Sequence, residues 1–382
     1  MDINKFVAPE IIFGMGAISQ AGESVQRLGA RKVFMVTDEG VIKSRWVEKA
    51  LFYLDQAGLE YEVWSDLTTN PKDNEVEVGV KKYISSGCDA VMAIGGGSPI
   101  DAAKAIAVIA TNGGIIQDYE GVNKINKPLP PMVILPTTAG SGSEVSQFAI
   151  IVDRKRKVKM TIISKSLMPD IAIVDPVMLQ TKDARLTAAT GMDALSHAVE
   201  SYVSLAATPL SDIFALNSIR LIAGNLSASV ACSTNMPAKE SMSMASLQAG
   251  LAFSNAILGI THAMTHQVDG LLDSHHGETN AILLPYAMEY NLIANVDRFC
   301  HIAEALGEDI KDLSKWKAAE KAVKGIRRLV KNIGLAKRLS EIGIDESVVE
   351  KLAVNALKDA CLITNPRDSN LQDIVSIYRK AL

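Results

Sequence analysis

The chain has 382 residues, 48% hydrophobic and 21% charged, with a formal charge of −4 and a pI near 5.9. That balance is ordinary for a soluble globular protein and too apolar for a disordered one. The length exceeds the roughly 250–300 residues that one core supports, so two domains are expected. The weak acidity offers no general attraction to nucleic acid or to an anionic membrane.

The opening MDINKFVAPEIIFG lacks a basic segment leading into an apolar run. No uninterrupted apolar stretch reaches the roughly 18 residues of a membrane span, so a cytoplasmic protein is expected. RKVFMVTD at 31–38 is the first clear strand, followed by a helical stretch around Lys43–Ala57, strand EYEVW at 60–64, a helical stretch near Glu75–Ser86 and strand CDAVMAI at 88–94. Further strand-like runs are PMVILP at 131–136, FAIIVD at 148–153, VKMTII at 158–163 and IAIVD at 171–175. Strands alternating with helices read as a mostly parallel sheet covered by helices. The basic run Arg154–Lys157, between FAIIVD and VKMTII, reads as a solvated hairpin turn rather than a nucleic-acid patch.

From residue 180 onward the alternation stops, and long periodic segments rich in Ala, Leu and Met take over: Asp183–Ser204, Thr208–Ser229, Ala238–Asn255 and Ser314–Asn332. Asp312 and Ser314 are candidate caps for the last of these, and Gly334 stands just past its end. The expected division is an α/β dinucleotide domain, 1–180, and an all-helical domain, 181–382. Cys88, Cys232, Cys300 and Cys361 show no CxxC spacing and are expected to be buried, reduced thiols.

Two loops in the first half carry chemistry. In AIGGGSPIDAAKA, Gly95, Gly96 and Gly97 let the backbone approach a ligand closely. Ser98 is expected to cap the helix that follows, with Pro99 at its first position and Asp101 in its first turn, leaving an N-terminal anion site suited to a pyrophosphate. PTTAGSGSEVS at 136–146 offers the hydroxyls of Thr137, Thr138, Ser141 and Ser143. Asp38 either accepts hydrogen bonds from a ribose diol, which selects NAD over NADP, or caps the next helix.

The helical half holds the metal chemistry. Asp193 and His197 are four apart, as are His262 and His266, so each pair shares a helical face. His275 and His276 follow about ten residues later. Three imidazoles, one of them from the adjacent pair, and one carboxylate suit Fe²⁺ or Zn²⁺.

With GGGSPIDAAKAIA, PTTAGSGSE, TGMDALSHAVE, H-x3-H, HG and NAILLP in order along nearly the whole length, the chain resembles the iron-containing, group III metal-dependent alcohol dehydrogenases. The resemblance implies a fold similar to dehydroquinate synthase and metal ligands Asp193, His197, His262 and His276, with His266 lining the site without being a ligand; one helical turn from His262, its imidazole is expected to relay the released proton. It also implies NAD contacts from Asp38, Asn70, Gly95, Gly96, Gly97, Ser98, Asp101, Thr137, Thr138, Ser141 and Lys159, bound Fe²⁺ with Zn²⁺ as a possible replacement, and a homodimer or larger homo-oligomer. The reaction implied is hydride transfer between a small primary alcohol or diol and its aldehyde. Glycerol dehydrogenase-like and dehydroquinate synthase-like enzymes are the alternatives. Two departures stand out: Asp269 where related sequences often have glycine, and His275 where many have proline. Both are expected to alter the pocket wall.

Overall fold

The structure, a computed structural model, describes residues 5–382. Two compact units divide the chain, one built from residues 7–138 with 143–181 and the other from 5–6, 139–142 and 182–382.

In chain order the first unit holds β1 (Glu10–Phe13), α1 (Ala21–Arg27), β2 (Lys32–Val36), α2 (Glu39–Lys43), α3 (Trp46–Gln56), β3 (Glu60–Trp64), α4 (Asp73–Ser86), β4 (Ala90–Gly95) and α5 (Gly97–Asn112). It continues with β5 (Gly121–Val122), β6 (Met132–Pro136), β7 (Phe148–Asp153), β8 (Val158–Ile163) and β9 (Ile171–Val174). Six strands form a sheet in the order β1-β9-β6-β4-β2-β3, and each pairs in parallel with its neighbours. Successive side chains of a strand face opposite ways, so a strand covered on both faces must be apolar throughout. Val33 and Met35 of β2, Met92 and Ile94 of β4 and Val133 and Leu135 of β6 pack on one face with α1 and α3. Phe34, Val36, Val91, Ala93 and Ile134 pack on the other with α4 and α5. The second sheet, β5-β8-β7, adds Ala149, Ile151, Met160 and Ile162 to that side.

The strand expectations hold, with two additions. β1 and the two-residue β5 carry no local periodic signal; β1 forms only because Glu10–Phe13 align with Ile171–Val174, far along the chain. The helical stretch after β2 is two helices, α2 and α3, broken where Arg45 takes a left-handed φ of 64°. The basic run is the β7–β8 turn, and its arginines are paired within the chain: Arg154 with Asp73, Arg156 with Asp153 and Glu120.

The second unit is all helix after residue 182: α6 (Ala184–Val203), α7 (Pro209–Ala231), α8 (Met236–Ala256), α9 (Ile260–Leu272), α10 (His276–Asn291), α11 (Val296–Ala305), α12 (Lys315–Asn332), α13 (Glu346–Ala356) and α14 (Leu371–Ala381). Side-chain caps define the starts: Asp183 accepts from Leu186 N, Thr208 from Ser211 N ahead of Pro209, and Ser314 from Lys317 N. Asp312, the rival cap, is instead held at φ 60°, and Gly334 follows α12 at φ 74°. By length and composition alone α7 could cross a membrane, but Ala215, Ile219, Ile222 and Leu226 are buried in a bundle with α6 and α8. All four cysteines are free; Cys88 and Cys361 are buried as expected, whereas Cys232 is exposed and Cys300 half-buried.

Candidate active site

The cofactor candidates gather because the sheet is parallel. β2, β4 and β6 are adjacent, so their carboxyl ends lie on one edge, where ligands bind in open α/β sheets. At that edge stand Asp38 after β2, Gly95 to Gly97 between β4 and α5, and Thr137 and Thr138 after β6. Asn70 joins them at a left-handed φ of 53°, donating its backbone N–H to Ser98 Oγ at 3.2 Å. One expectation fails: the cap of α5 is Gly96, and Ser98 lies inside the first turn. With three glycines in series the chain enters the helix two residues earlier than the first side-chain cap. Asp38 does cap α2, accepting from Val41 N at 2.9 Å. Thr137 Oγ1 is buried without a hydrogen-bond partner.

Asp101 accepts from Ile150 N at 3.1 Å, and burial pushes its carboxyl up to about 6. Beside it Lys104 is fully buried, donating to the carbonyls of Ser143, Ser146 and Phe148 and to Ser146 Oγ. The lysine therefore ties α5 to the loop and strand that follow β6. Lys159 is buried on β8. Ser141 falls in the helical unit with Ala139, Gly140 and Gly142.

In the helical unit the metal candidates converge. The Nε2 atoms of His197, His262 and His276 lie 3.8, 3.9 and 3.7 Å from the same oxygen, Oδ1 of Asp193. These separations are too long for hydrogen bonds. They are close to the about 3.4 Å between ligands of a tetrahedral ion with bonds of about 2.1 Å. The outer nitrogens are all engaged: His197 Nδ1 with Gly140 O at 3.2 Å, His262 Nδ1 with Glu200 Oε2 at 2.7 Å, and His276 Nδ1 with Asp269 Oδ2 at 2.6 Å. An acceptor behind each ring fixes the proton on Nδ1 and leaves the Nε2 lone pair facing inward, as metal-binding imidazoles require. Asn280 Nδ2 confirms the assignment for His262 by donating to its Nε2 at 3.2 Å and to Asp193 Oδ1 at 2.8 Å.

The electrostatics agree with a cation at this point. Burial pushes the His197 imidazole down to about 3, so it is neutral and free to ligate. Burial opposes the charge on Asp193, but His197, His276 and His262 together hold the carboxyl below its ordinary range. The donor set is one carboxylate and three imidazoles, which fits a divalent ion of borderline softness.

Glycines bring the elements this close. A Cβ on Gly277 would lie 2.0 Å from the Ala189 carbonyl, so only glycine lets the start of α10 press against α6 beside His276. A Cβ on Gly140 would meet Thr190 at 2.7 Å, so the same holds for the loop that supports His197.

His266 stacks on His276 with ring centroids 5.5 Å apart, and its Nδ1 hydrogen-bonds Asp359 Oδ2 at 2.8 Å. His266, Asp359 and buried Cys361 are close enough to suggest a second ion, but the His266–Asp359 hydrogen bond and the Cys361 N–H on Asp359 Oδ1 account for the group. Of the paired histidines His276 faces the site; His275 is the N-cap residue of α10. Asp269 does not line a pocket wall: its buried carboxylate turns onto His276, Ser274 and Thr279. Glu200, Asn280 and Asp359 were not singled out as site residues from sequence, and Asp269 was singled out only as part of the pocket wall. Glu200 alone left a trace, one turn after His197 on the same helix.

Family models match both halves: "Iron-containing alcohol dehydrogenase" over residues 8–176, and "Fe-containing alcohol dehydrogenase family, C-terminal" over 187–382. The chain belongs to the iron-containing alcohol dehydrogenase family. It is 45% identical to a 1,3-propanediol dehydrogenase of Klebsiella pneumoniae, over 98% of both chains. It is 42% identical to an NAD-dependent methanol dehydrogenase of Bacillus methanolicus, over 99% of this chain and 100% of that one. Among solved structures, a 1,3-propanediol oxidoreductase superposes with a TM-score of 0.97 at 44% identity, covering 100% of both chains. This member of the family is therefore an oxidoreductase acting on alcohols and aldehydes, and its parallel-sheet and helical units are those of the family fold.

Proposed function

We propose that the chain interconverts a small primary alcohol or diol and its aldehyde, with NAD bound by residues of 1–180 and one divalent ion held by Asp193, His197, His262 and His276 in 181–382. The observation that carries this is the convergence of three Nε2 lone pairs on one carboxylate oxygen, each ring fixed from behind. Likeness to the propanediol and methanol dehydrogenases supports the size and class of substrate. When bound, the ion supplies Lewis acidity at the substrate oxygen and NAD supplies the hydride acceptor.

The chain's own residues do the rest. Gly95, Gly96 and Gly97 leave room for a pyrophosphate at the start of α5; Thr137, Thr138, Ser141 and Lys159 offer hydrogen bonds, and Asp38 and Asn70 flank the same edge. Ser98 and Asp101 shape that edge, Ser98 through Asn70 and Asp101 through Ile150. His266 carries the released proton away from the substrate, its ring held by Asp359. Iron is the ion we assign, with zinc able to replace it because imidazole and carboxylate bind Zn²⁺ more tightly than Fe²⁺. A cytoplasmic homodimer or larger homo-oligomer goes with this reading, in keeping with four unpaired thiols.

The test is NADH formation by metal-stripped protein titrated with Fe²⁺ or Zn²⁺, over methanol, longer primary alcohols and short diols. Net NADH rising with metal until the site is filled is the expected result. Full activity without metal, or a loaded enzyme that forms no NADH from any alcohol, would overturn it.

A further inference from the structure

Of the four residues around the site, His276 has the weakest built-in support. Asp193, His197 and His262 lie inside helices, with side chains no more than 8% exposed. The His276 side chain is 25% exposed, and His276 is the first residue of α10, directly after the turn in which Asp273 takes a left-handed φ of 53°. Its ring stacks on His266, but no preceding turn of its own helix fixes which nitrogen faces the site.

Asp269 does. It lies one turn before the end of α9, with a side chain that is 0% exposed. Its Oδ2 accepts from His276 Nδ1 at 2.6 Å. Its Oδ1 accepts from Ser274 Oγ and Thr279 Oγ1, both at 2.8 Å. One carboxylate thus holds the turn, the first residue of α10 and that helix's first turn of side chains. Because Asp269 engages Nδ1, the lone pair of His276 is on Nε2, the atom 3.7 Å from Asp193 Oδ1. A carboxylate behind a ligating imidazole also raises its basicity.

We propose that Asp269 is the positioning residue that makes His276 a metal ligand, and that it sets how tightly this chain retains its ion. The proposal rests on the metal-site reading above.

The experiment is Co²⁺ titration of the metal-free full-length protein, followed by the visible bands of the bound ion and by competition with a chelator. Asp269→Asn keeps the shape but removes the charge, and should weaken Co²⁺ binding by about 10–100-fold, the usual cost of losing such an outer partner, with altered visible bands. Thr279→Val removes a hydroxyl from the same carboxylate but leaves the His276 bond, and should weaken binding by less than the about 10-fold that marks loss of a ligand's own outer partner. Melting of the metal-free forms separates this from general destabilisation: the proposal expects a loss of affinity in Asp269→Asn beyond any that Thr279→Val shows at a similar melting temperature. Wild-type affinity and spectrum in Asp269→Asn would overturn the proposal while leaving the site intact, as would an equal loss in Thr279→Val. Failure of the wild-type protein itself to bind Co²⁺ would instead overturn the metal-site reading on which the proposal stands.

Discussion

His266 occupies the position at which a ligand and a relay are hardest to tell apart. It is one helical turn from His262 on α9 and stacks on His276, yet its Nδ1 is committed to Asp359 and it does not join the group of Asp193, His197, His262 and His276. Asp359 stays ionised despite burial, which opposes its charge, because His266 stands beside it and donates to it. Removing this imidazole should therefore cost proton transfer and leave the metal. His266→Ala is expected to retain stoichiometric metal while turnover falls on the order of 10²-fold, within the range of general acid–base contributions. Loss of the metal from that variant would make His266 a ligand. At this scale the sequence was readable where partners are near one another. Asp193 with His197 and His262 with His266 declare themselves by helical spacing, whereas choosing His276 over His275 needed the start of α10. The groups behind the rings were hidden, since Gly140 lies 57 residues from His197 and Glu200 lies 62 from His262. No local pattern reports contacts of that range.

Helix α9 shows how an element and a site are built by the same group. Its cap residue, Gly259, has no side chain to satisfy the first N–H groups, yet the helix begins in the buried interior. Glu200, from α6, does so instead, accepting from Gly259 N at 3.0 Å, Thr261 N at 2.6 Å and His262 N at 3.3 Å as well as from His262 Nδ1. A buried carboxylate with this many donors completes the helix N-terminus and orients a ligand at once. Burial opposes its charge, but the hydrogen bond and proximity of His262 hold the carboxyl below its ordinary range. Glu200→Gln offers one acceptor where there were two and sets an amide N–H₂ against N–H donors. Hydrogen bonds to a charged group contribute about 1.5–3 kcal/mol each, so a loss of about 3 kcal/mol from the metal-free protein is expected. Urea unfolding would measure it, and an unchanged midpoint would show that Glu200 serves the ligand alone. Caps carried by the capping residue itself, such as Asp183, Thr208 and Ser314, were legible in advance. Remote caps like Glu200 were not, and the glycine run before α5 misled because it allowed an earlier entry than Ser98.

Across the whole molecule, in the proposed reading, the metal chemistry lies in the helical unit, and every cofactor candidate except Ser141 lies in the sheet unit. The proposed ligands lie on α6, α9 and α10, while the carboxyl ends of β2, β4 and β6 belong to the sheet unit. In that reading, a dication held by Asp193, His197, His262 and His276 would join α6, α9 and α10. Its removal would leave the buried Asp193 carboxylate without a cation against it. Metal binding stabilises the native state by mass action, about 2.7 kcal/mol at a free concentration 100-fold above Kd. That stabilisation should appear where the ligands are. Hydrogen exchange of the full-length protein with and without chelator is expected to show added protection by metal in α6, α9 and the start of α10, with the strands β2, β4 and β6 unchanged. Adding NAD to the metal-free protein should do the converse, slowing exchange at Gly95–Ser98 and around Thr137 while α9 stays as it was. If the metal protected both units equally, the ion's effect would have to pass through the whole fold rather than through the three helices it joins, and the division of labour argued from the ligand positions would be wrong.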